Sequence, residues 1–268
     1  MTKTALLALL LSTNVLAFEL NGDFVQGGLL KGNADLATDI YIADRKLLRD
    51  ESGAFIIGLD RDATSSLVVV EKAAGKTVEH SFEIKKRDYK LQKIEGISKK
   101  IMQPDPEAVA RSVKESKLVK QARVEFSDSD GYKADFVWPL IGPITGVFGS
   151  QRVYNGVPKR PHYGVDVAAP TGTVAYAPAP GVITLAYDDM FFSGGTLIID
   201  HGHGLTSSFL HLSKMLVQPG DRVEAGQAVA EVGATGRVTG PHLDWRMNWY
   251  NSRIDPQLLV GEMPATQR

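Results

Sequence analysis

Five of the six histidines lie between residues 162 and 242 of this 268-residue chain, and the chain has no cysteine. That excludes disulfides, thiolate metal sites, iron–sulfur clusters and a cysteine nucleophile. Any metal must be held by imidazole and carboxylate. The first suitable group is His162-Tyr163-Gly164-Val165-Asp166. In a fully extended strand its two ends would lie about 13 Å apart, too far to share an ion. The chain must therefore bend, and Gly164 makes a bend cheap. A bent pair can place both groups about 2 Å from one divalent ion.

A second group is Pro241-His242-Leu243-Asp244-Trp245-Arg246. Strand alternation puts His242, Asp244 and Arg246 on one face, with successive members about 7 Å apart. Leu243, Trp245 and Met247 take the other face and suit a core, so Trp245 and Trp249 read as core rather than as a sugar platform. In Ser207–Leu212, His211 sits between Leu210 and Leu212 and so points away from them. Together these residues suggest one His/Asp cleft. Arg152 and Tyr154 precede the first group and read as packing residues rather than cleft lining. No G-x-S-x-G elbow is present, which removes the serine-hydrolase alternative.

The elements that must position this cleft are mostly strands. Val182–Ala186, Thr196–Asp200, Thr206–Leu212, Ala228–Val232 and His242–Trp249 are short apolar runs separated by Gly and Pro. They predict an antiparallel β domain over 136–260. Asp188 and Asp189 read as a turn. Residues 18–87 hold further strand-like runs around Ile40, Ile57, Val69 and Phe82, which predict a small β-sandwich with an accessory role. Residues 88–135 read as a connector. Within it, Pro104-Asp105-Pro106-Glu107 begins an exposed or laterally packed helix that runs to about Arg123. The fold class is thus all-β, with a partly helical connector.

Thirty Lys and Arg against 31 Asp and Glu give a net charge of −1, which argues against nucleic acid as a partner. Lys3, the apolar run Ala5–Leu11 and the small-residue pattern Val15-Leu16-Ala17 predict a secretory signal over residues 1–17. The run is too short to span a bilayer. Export to a periplasm or the exterior is expected, with no membrane span after cleavage.

The C-terminal part resembles the M23 (lysostaphin/LytM-like) zinc metallopeptidases. The resemblance rests on ordered pieces: Phe148-Gly149-Ser150-Gln151-Arg152, His162–Asp166, Ala177–Ile183, Ile199-Asp200-His201-Gly202 and Phe209–Ser213. Gly220–Val223, Gly233–Gly236 and Thr239–Asp244 complete the series. It covers about residues 136–250. It implies that His162 and Asp166 are metal ligands, that His211 and His242 are the active-site histidines, and that His201 is structural. His203 matches no site position and reads as an exposed turn residue. The third ligand in the family is the second histidine of H-x-H, where this chain has Asp244.

Carboxylate oxygen can replace imidazole on zinc at a similar distance. One His and two carboxylates would neutralise the ion, raising the pKa of bound water and making manganese more acceptable. Arg246 could restore positive charge, or could draw Asp244 away as a salt-bridge partner. The resemblance implies one Zn²⁺ per chain, held by His162, Asp166 and Asp244. It also implies an endopeptidase acting on peptidoglycan peptide cross-links. Separately, the N-terminal domain, which the resemblance does not cover, is a candidate surface for a protein partner. The alternative is an inactive LytM-like domain serving as a wall scaffold or as an activator of another hydrolase.

Overall fold

The computed structural model describes residues 18–96, 105–124 and 127–264. The expected signal segment lies outside the described residues. Among them, no helix is long and apolar enough to cross a membrane.

The N-terminal part forms two small antiparallel sheets. One joins β1 (Glu19–Gly22), β2 (Leu29–Asn33) and β5 (Ala54–Gly58). The other joins β3 (Asp39–Ile42), β4 (Arg45–Lys46), β6 (Ser66–Ala73) and β7 (Lys76–Glu83). β-branched and aromatic residues suit these half-buried pleated surfaces. Leu30, Ile40, Phe55, Ile57 and Val69 are almost wholly buried between them. His80 pairs with Glu71 across β6–β7 at 3.0 Å and stacks on Phe18, so it serves this sheet.

Next come β8 (Leu91–Ile94), the helix α1 (Pro106–Ala122), β9 (Ile144–Gly146), β10 (Gln151–Tyr154) and β11 (Val157–Pro158). β8 lies inside the expected connector and pairs in parallel with β10. The N-cap of α1 is Asp105, whose carboxylate accepts from the Glu107 amide at 3.0 Å. The helix buries Ala108, Glu115 and Ala122 while Val109, Val113 and Leu118 stay exposed. That seven-residue spacing marks one narrow contact stripe.

The large sheet contains β9, β12 (Val165–Ala168), β14 (Gly181–Met190), β15 (Gly194–Asp200) and β16 (Leu205–Leu212). It is completed by β18 (Arg222–Val223), β20 (His242–Trp249) and β21 (Ser252–Ile254). The order is β18-β14-β15-β16-β20-β12-β9, with β21 also on β20, and the pairings are antiparallel. A three-stranded sheet of β13 (Val174–Tyr176), β19 (Ala228–Glu231) and β17 (Lys214–Met215) packs beside it. A short helix α2 (Gln257–Val260) follows β21. Asp188 and Asp189 lie within β14 rather than in a turn. A register shift between Tyr187 and Met190 absorbs the irregularity that polar pair brings to the strand.

One face of the large sheet is core. Register places Val165 and Phe209 opposite Trp245, and Val167 opposite Leu243, all fully buried. The N-terminal sheets share this core, since their apolar residues join one continuous buried cluster with it. Polar contacts fix the same junction. Asp50 accepts from Tyr132 Oη at 3.0 Å and lies 2.6 Å from Lys133 Nζ, while Arg87 pairs with Asp255 at 2.7 Å. Arg61 donates to the Gly149 carbonyl at 2.7 Å. His203 lies in a turn, as expected, but is half-buried rather than exposed, because its ring stacks on Tyr132 with centroids 3.9 Å apart.

His201 is wholly buried, and its Nδ1 donates to the Pro180 carbonyl at 2.7 Å. Its Nε2 lies 2.7 Å from Ser207 Oγ. Burial pushes its pKa from 6.5 down to about 4. The unfolded chain then binds a proton that the folded chain refuses, so stability falls as pH drops from about 6.5 towards 4. The expected loss across that window is about 3 kcal/mol. Denaturant midpoints measured between these pH values, with an NMR titration of the His201 ring, check it. An NMR pKa near 6.5 contradicts the assignment.

Candidate metal centre and catalytic histidines

β12, β20 and β16 bring the site together on the face opposite the core. Asp166 on β12 pairs in register with Asp244 on β20, which pairs in turn with Leu210 on β16. His242 precedes Asp244 by two residues and so shares its face of β20. His162 precedes β12 and folds back over it. Its Nε2 lies 3.2 Å from Asp166 Oδ1. One ring nitrogen of His162 and one carboxylate oxygen each of Asp166 and Asp244 fall within 4.8 Å of one another. The two groups of residues singled out by spacing therefore do share one cleft.

The glycine between His162 and Asp166 has a different task from the one expected. Gly164 does not adopt a positive φ. A Cβ built on it would lie 2.5 Å from the Trp245 carbonyl oxygen and 2.7 Å from Asp244 Oδ1. Its bare Cα lets the His162 loop sit directly on β20. Gly146 does the same on the other flank, where a Cβ would lie 2.1 Å from Asp166 Oδ2.

His211 also reaches the cleft by another route than alternation. Simple parity groups it with Ser207 and Phe209, which face the core opposite Met247 and Trp245. A register shift between Gly195 and Leu197 breaks that parity, and His211 takes φ +66°. This conformation costs a non-glycine residue roughly 1–2 kcal/mol. The His211 amide donates to the Ser193 carbonyl at 2.8 Å, which holds the bulge. The ring then turns into the cleft, with its centroid 4.9 Å from that of His242.

The two histidines carry fixed tautomers. His211 Nδ1 is 2.9 Å from the Thr235 carbonyl oxygen, and His242 Nδ1 is 2.9 Å from that of Gly240. A carbonyl only accepts, so both Nδ1 atoms carry the proton and both Nε2 lone pairs are free. His211 Nε2 lies 4.0 Å from Asp244 Oδ2, and His242 Nε2 lies 3.8 Å from Asp166 Oδ1. Burial lowers the His211 pKa against the opposing pull of Asp244, so the ring is neutral at pH 7.

Arg246 grips Asp244. Its Nε donates to Oδ1 at 2.9 Å and its Nη2 to Oδ2 at 2.5 Å. Asp244 is nearly fully buried. Burial alone would raise its pKa, but the Arg246 guanidinium overcomes this and holds it below the usual carboxylate range. By contrast, His162 Nε2 and Asp166 Oδ1 are buried and unpartnered, since their approach lacks hydrogen-bond alignment. Two orphaned polar atoms beside a carboxylate held ionised at neutral pH fit a divalent cation.

The remaining sequence candidates lie elsewhere. Arg152 is exposed on β10, and Tyr154 is half-buried there. Trp245 and Trp249 are core. Three cleft residues escaped the sequence: Tyr163, Arg253 and Arg123. Arg253 lies over the Tyr163 ring, 4.8 Å from its centroid. Arg253 carried a readable signal, because it follows β20 after a tight turn. Arg123 carried none.

The model of Peptidase family M23 matches residues 160–256, which span all five candidate site residues. The chain belongs to peptidase family M23. The M23 region is 38% identical over 118 residues to the peptidoglycan DD-endopeptidase ShyA of Vibrio cholerae, covering 43% of this chain and 26% of that protein. It is 40% identical over 98 residues to the DD-carboxypeptidase/endopeptidase Mpg of Neisseria meningitidis, covering 37% and 21%. The matched stretch spans about a quarter of the length of such curated relatives. A crystal structure assigned to peptidase M23, from Pseudomonas aeruginosa, has a TM-score of 0.68 and 29% identity. That match covers 88% of this chain and 95% of the other, so the likeness extends over the N-terminal sheets as well.

Replacing Gly164 with Ala should lower stability by about 1–3 kcal/mol, because the Trp245 carbonyl cannot yield to the new methyl. It should also displace Asp244. Urea midpoints, with His162 ring shifts read by NMR, test this M23 cleft. A variant matching the parent in both would show that the close approach is not needed.

Proposed function

We propose that this M23 protein is an exported metal-dependent endopeptidase that hydrolyses peptide cross-links of peptidoglycan. One observation supports the reading most. Two histidines with free Nε2 lone pairs flank two orphaned ligand atoms and an ionised carboxylate. A binding module has no chemical need for that pair of bases. The substrate class comes from relatives whose names describe endopeptidases of peptidoglycan. Envelope location follows from the substrate and from the N-terminal segment.

His162, Asp166 and Asp244 would hold the ion, with zinc the expected metal and manganese a second candidate. Bound there, it would supply Lewis-acid polarisation of the scissile carbonyl and a more acidic water. His242 accepts the proton of the attacking water at Nε2, since Gly240 already holds its Nδ1 proton. The protonated ring returns that proton to the amine nitrogen as the C–N bond breaks. His211 stands opposite, neutral and rigid, and helps to orient the attacking water through its own Nε2. Arg246 keeps Asp244 ionised and aimed. The two carboxylates cancel a divalent charge, and Arg246 returns one positive unit to the cleft.

The Arg246–Asp244 clamp also favours the second reading, a cell-wall scaffold or activator. Both oxygens of Asp244 are already occupied by the guanidinium. The two readings separate on purified peptidoglycan. The parent should release cross-link peptides, chelator should stop it, and His242→Ala should slow it by about 10²–10⁴-fold. A parent without metal or activity, converted into an enzyme by Asp244→His, would establish the scaffold instead.

A further inference from the structure

Beyond the reacting groups, the cleft face holds an excess of positive charge. β16 and β20 place Ser208 opposite Arg246, and β20 and β21 place Asn248 opposite Arg253. Arg246 and Asn248 share a face, so Arg253 stands beside them. Its Nη1 donates to Asn248 Oδ1 at 3.3 Å. From the end of α1, Arg123 reaches the same place, and its Nη2 donates to Ser208 Oγ at 3.1 Å. Three guanidiniums from three elements gather within two residue steps. Each is only partly covered.

Their negative partners are too few. Arg246 is taken by Asp244. Among the described residues, neither Arg123 nor Arg253 forms an ion pair. The nearby Asp60 accepts from the Arg253 backbone amide at 2.8 Å. Arg123 Nε is buried without a hydrogen-bond partner. Burial, reinforced by Arg253 and Arg246, pushes the Arg123 pKa down to about 9. A divalent ion on Asp166 and Asp244 would deepen the imbalance. Uncompensated, partly buried guanidinium is costly, and a planar anion bound through two N–H groups relieves it.

We propose that Arg123, Arg246 and Arg253 form a carboxylate-binding subsite that seats a free carboxylate of the peptide substrate. The proposal rests on the peptidase reading for its choice of ligand. Arg246 already touches Asp244, while Arg253 stands beside Asn248 further along the same strand, so the carboxylate sits roughly one to two residues from the bond attacked. Tyr163 links the two places, because it adjoins His162 and lies under the Arg253 guanidinium. The subsite selects acidic or chain-terminal positions over amidated ones.

The test uses N-acetyl-alanyl-alanine as free acid and as carboxamide, titrated calorimetrically into the purified protein. The free acid should bind at least about tenfold tighter. Arg123→Gln and Arg253→Gln should each remove most of that preference and leave the carboxamide affinity unchanged. Thermal midpoints report whether the variants fold, and the acid–amide comparison on the parent needs no variant. Equal affinities for the two probes, no measurable binding of the acid, or an unchanged preference in both folded variants would overturn the proposal. Binding needs no turnover. A protein that prefers the acid but never cleaves peptidoglycan would refute the peptidase reading and leave the subsite standing.

Discussion

The cleft depends on one buried ion pair. Asp244 sits at the centre of a sheet, nearly sealed from solvent, and such a carboxylate survives there only with a dedicated cation. Arg246 supplies it from the same strand face, two residues on. The pair fixes the direction of the carboxylate, and β12 and the His162 loop close over it because Gly164 and Gly146 leave room. A histidine in place of Asp244 would not need Arg246. The guanidinium leaves one positive unit beside the two carboxylates of the cleft.

Around that pair, position is set by backbone rather than by side-chain choice. Carbonyls of Thr235 and Gly240 select the tautomers of His211 and His242. A bulge opposite Gly195–Leu197 turns His211 out of the core. Each device costs local regularity, and each sits in a sheet whose other face is tightly filled by Trp245, Phe209 and Leu243. The stiffness of that packed face is what lets the cleft face hold strained and orphaned groups.

Much of this could be read from the residues. Alternation along His242–Trp249 separates cleft from core correctly, and the H-x-x-x-D spacing brings His162 to Asp166. The strands of the large sheet fall close to where apolar runs and Gly/Pro punctuation place them. What was not legible depends on contacts distant in sequence. His211 was expected in the cleft by parity, yet parity alone would have buried it. Its direction comes from a bulge that no local pattern announces. Gly164 was read as a hinge and is instead a point of close approach. Asp188 and Asp189 looked like a turn, but they lie at an irregularity within β14, where Arg111 of the neighbouring helix pairs with Asp189. Arg123 looked like the solvated end of that helix, because nothing in its neighbours shows that Ser208 waits beneath it.

The parallel pairing of β8 with β10 reaches beyond the cleft. β10 lies in the loop region that leads into His162, and only β11, two residues long, covers its other side. The stretch that leads into His162 is therefore stitched to a strand from the N-terminal half. A trimmed protein beginning after residue 135 would carry a raw, unpaired ribbon at the mouth of its own cleft. Such a margin invites self-association. The N-terminal half thus acts as a selvedge, finishing the edge of the domain it precedes.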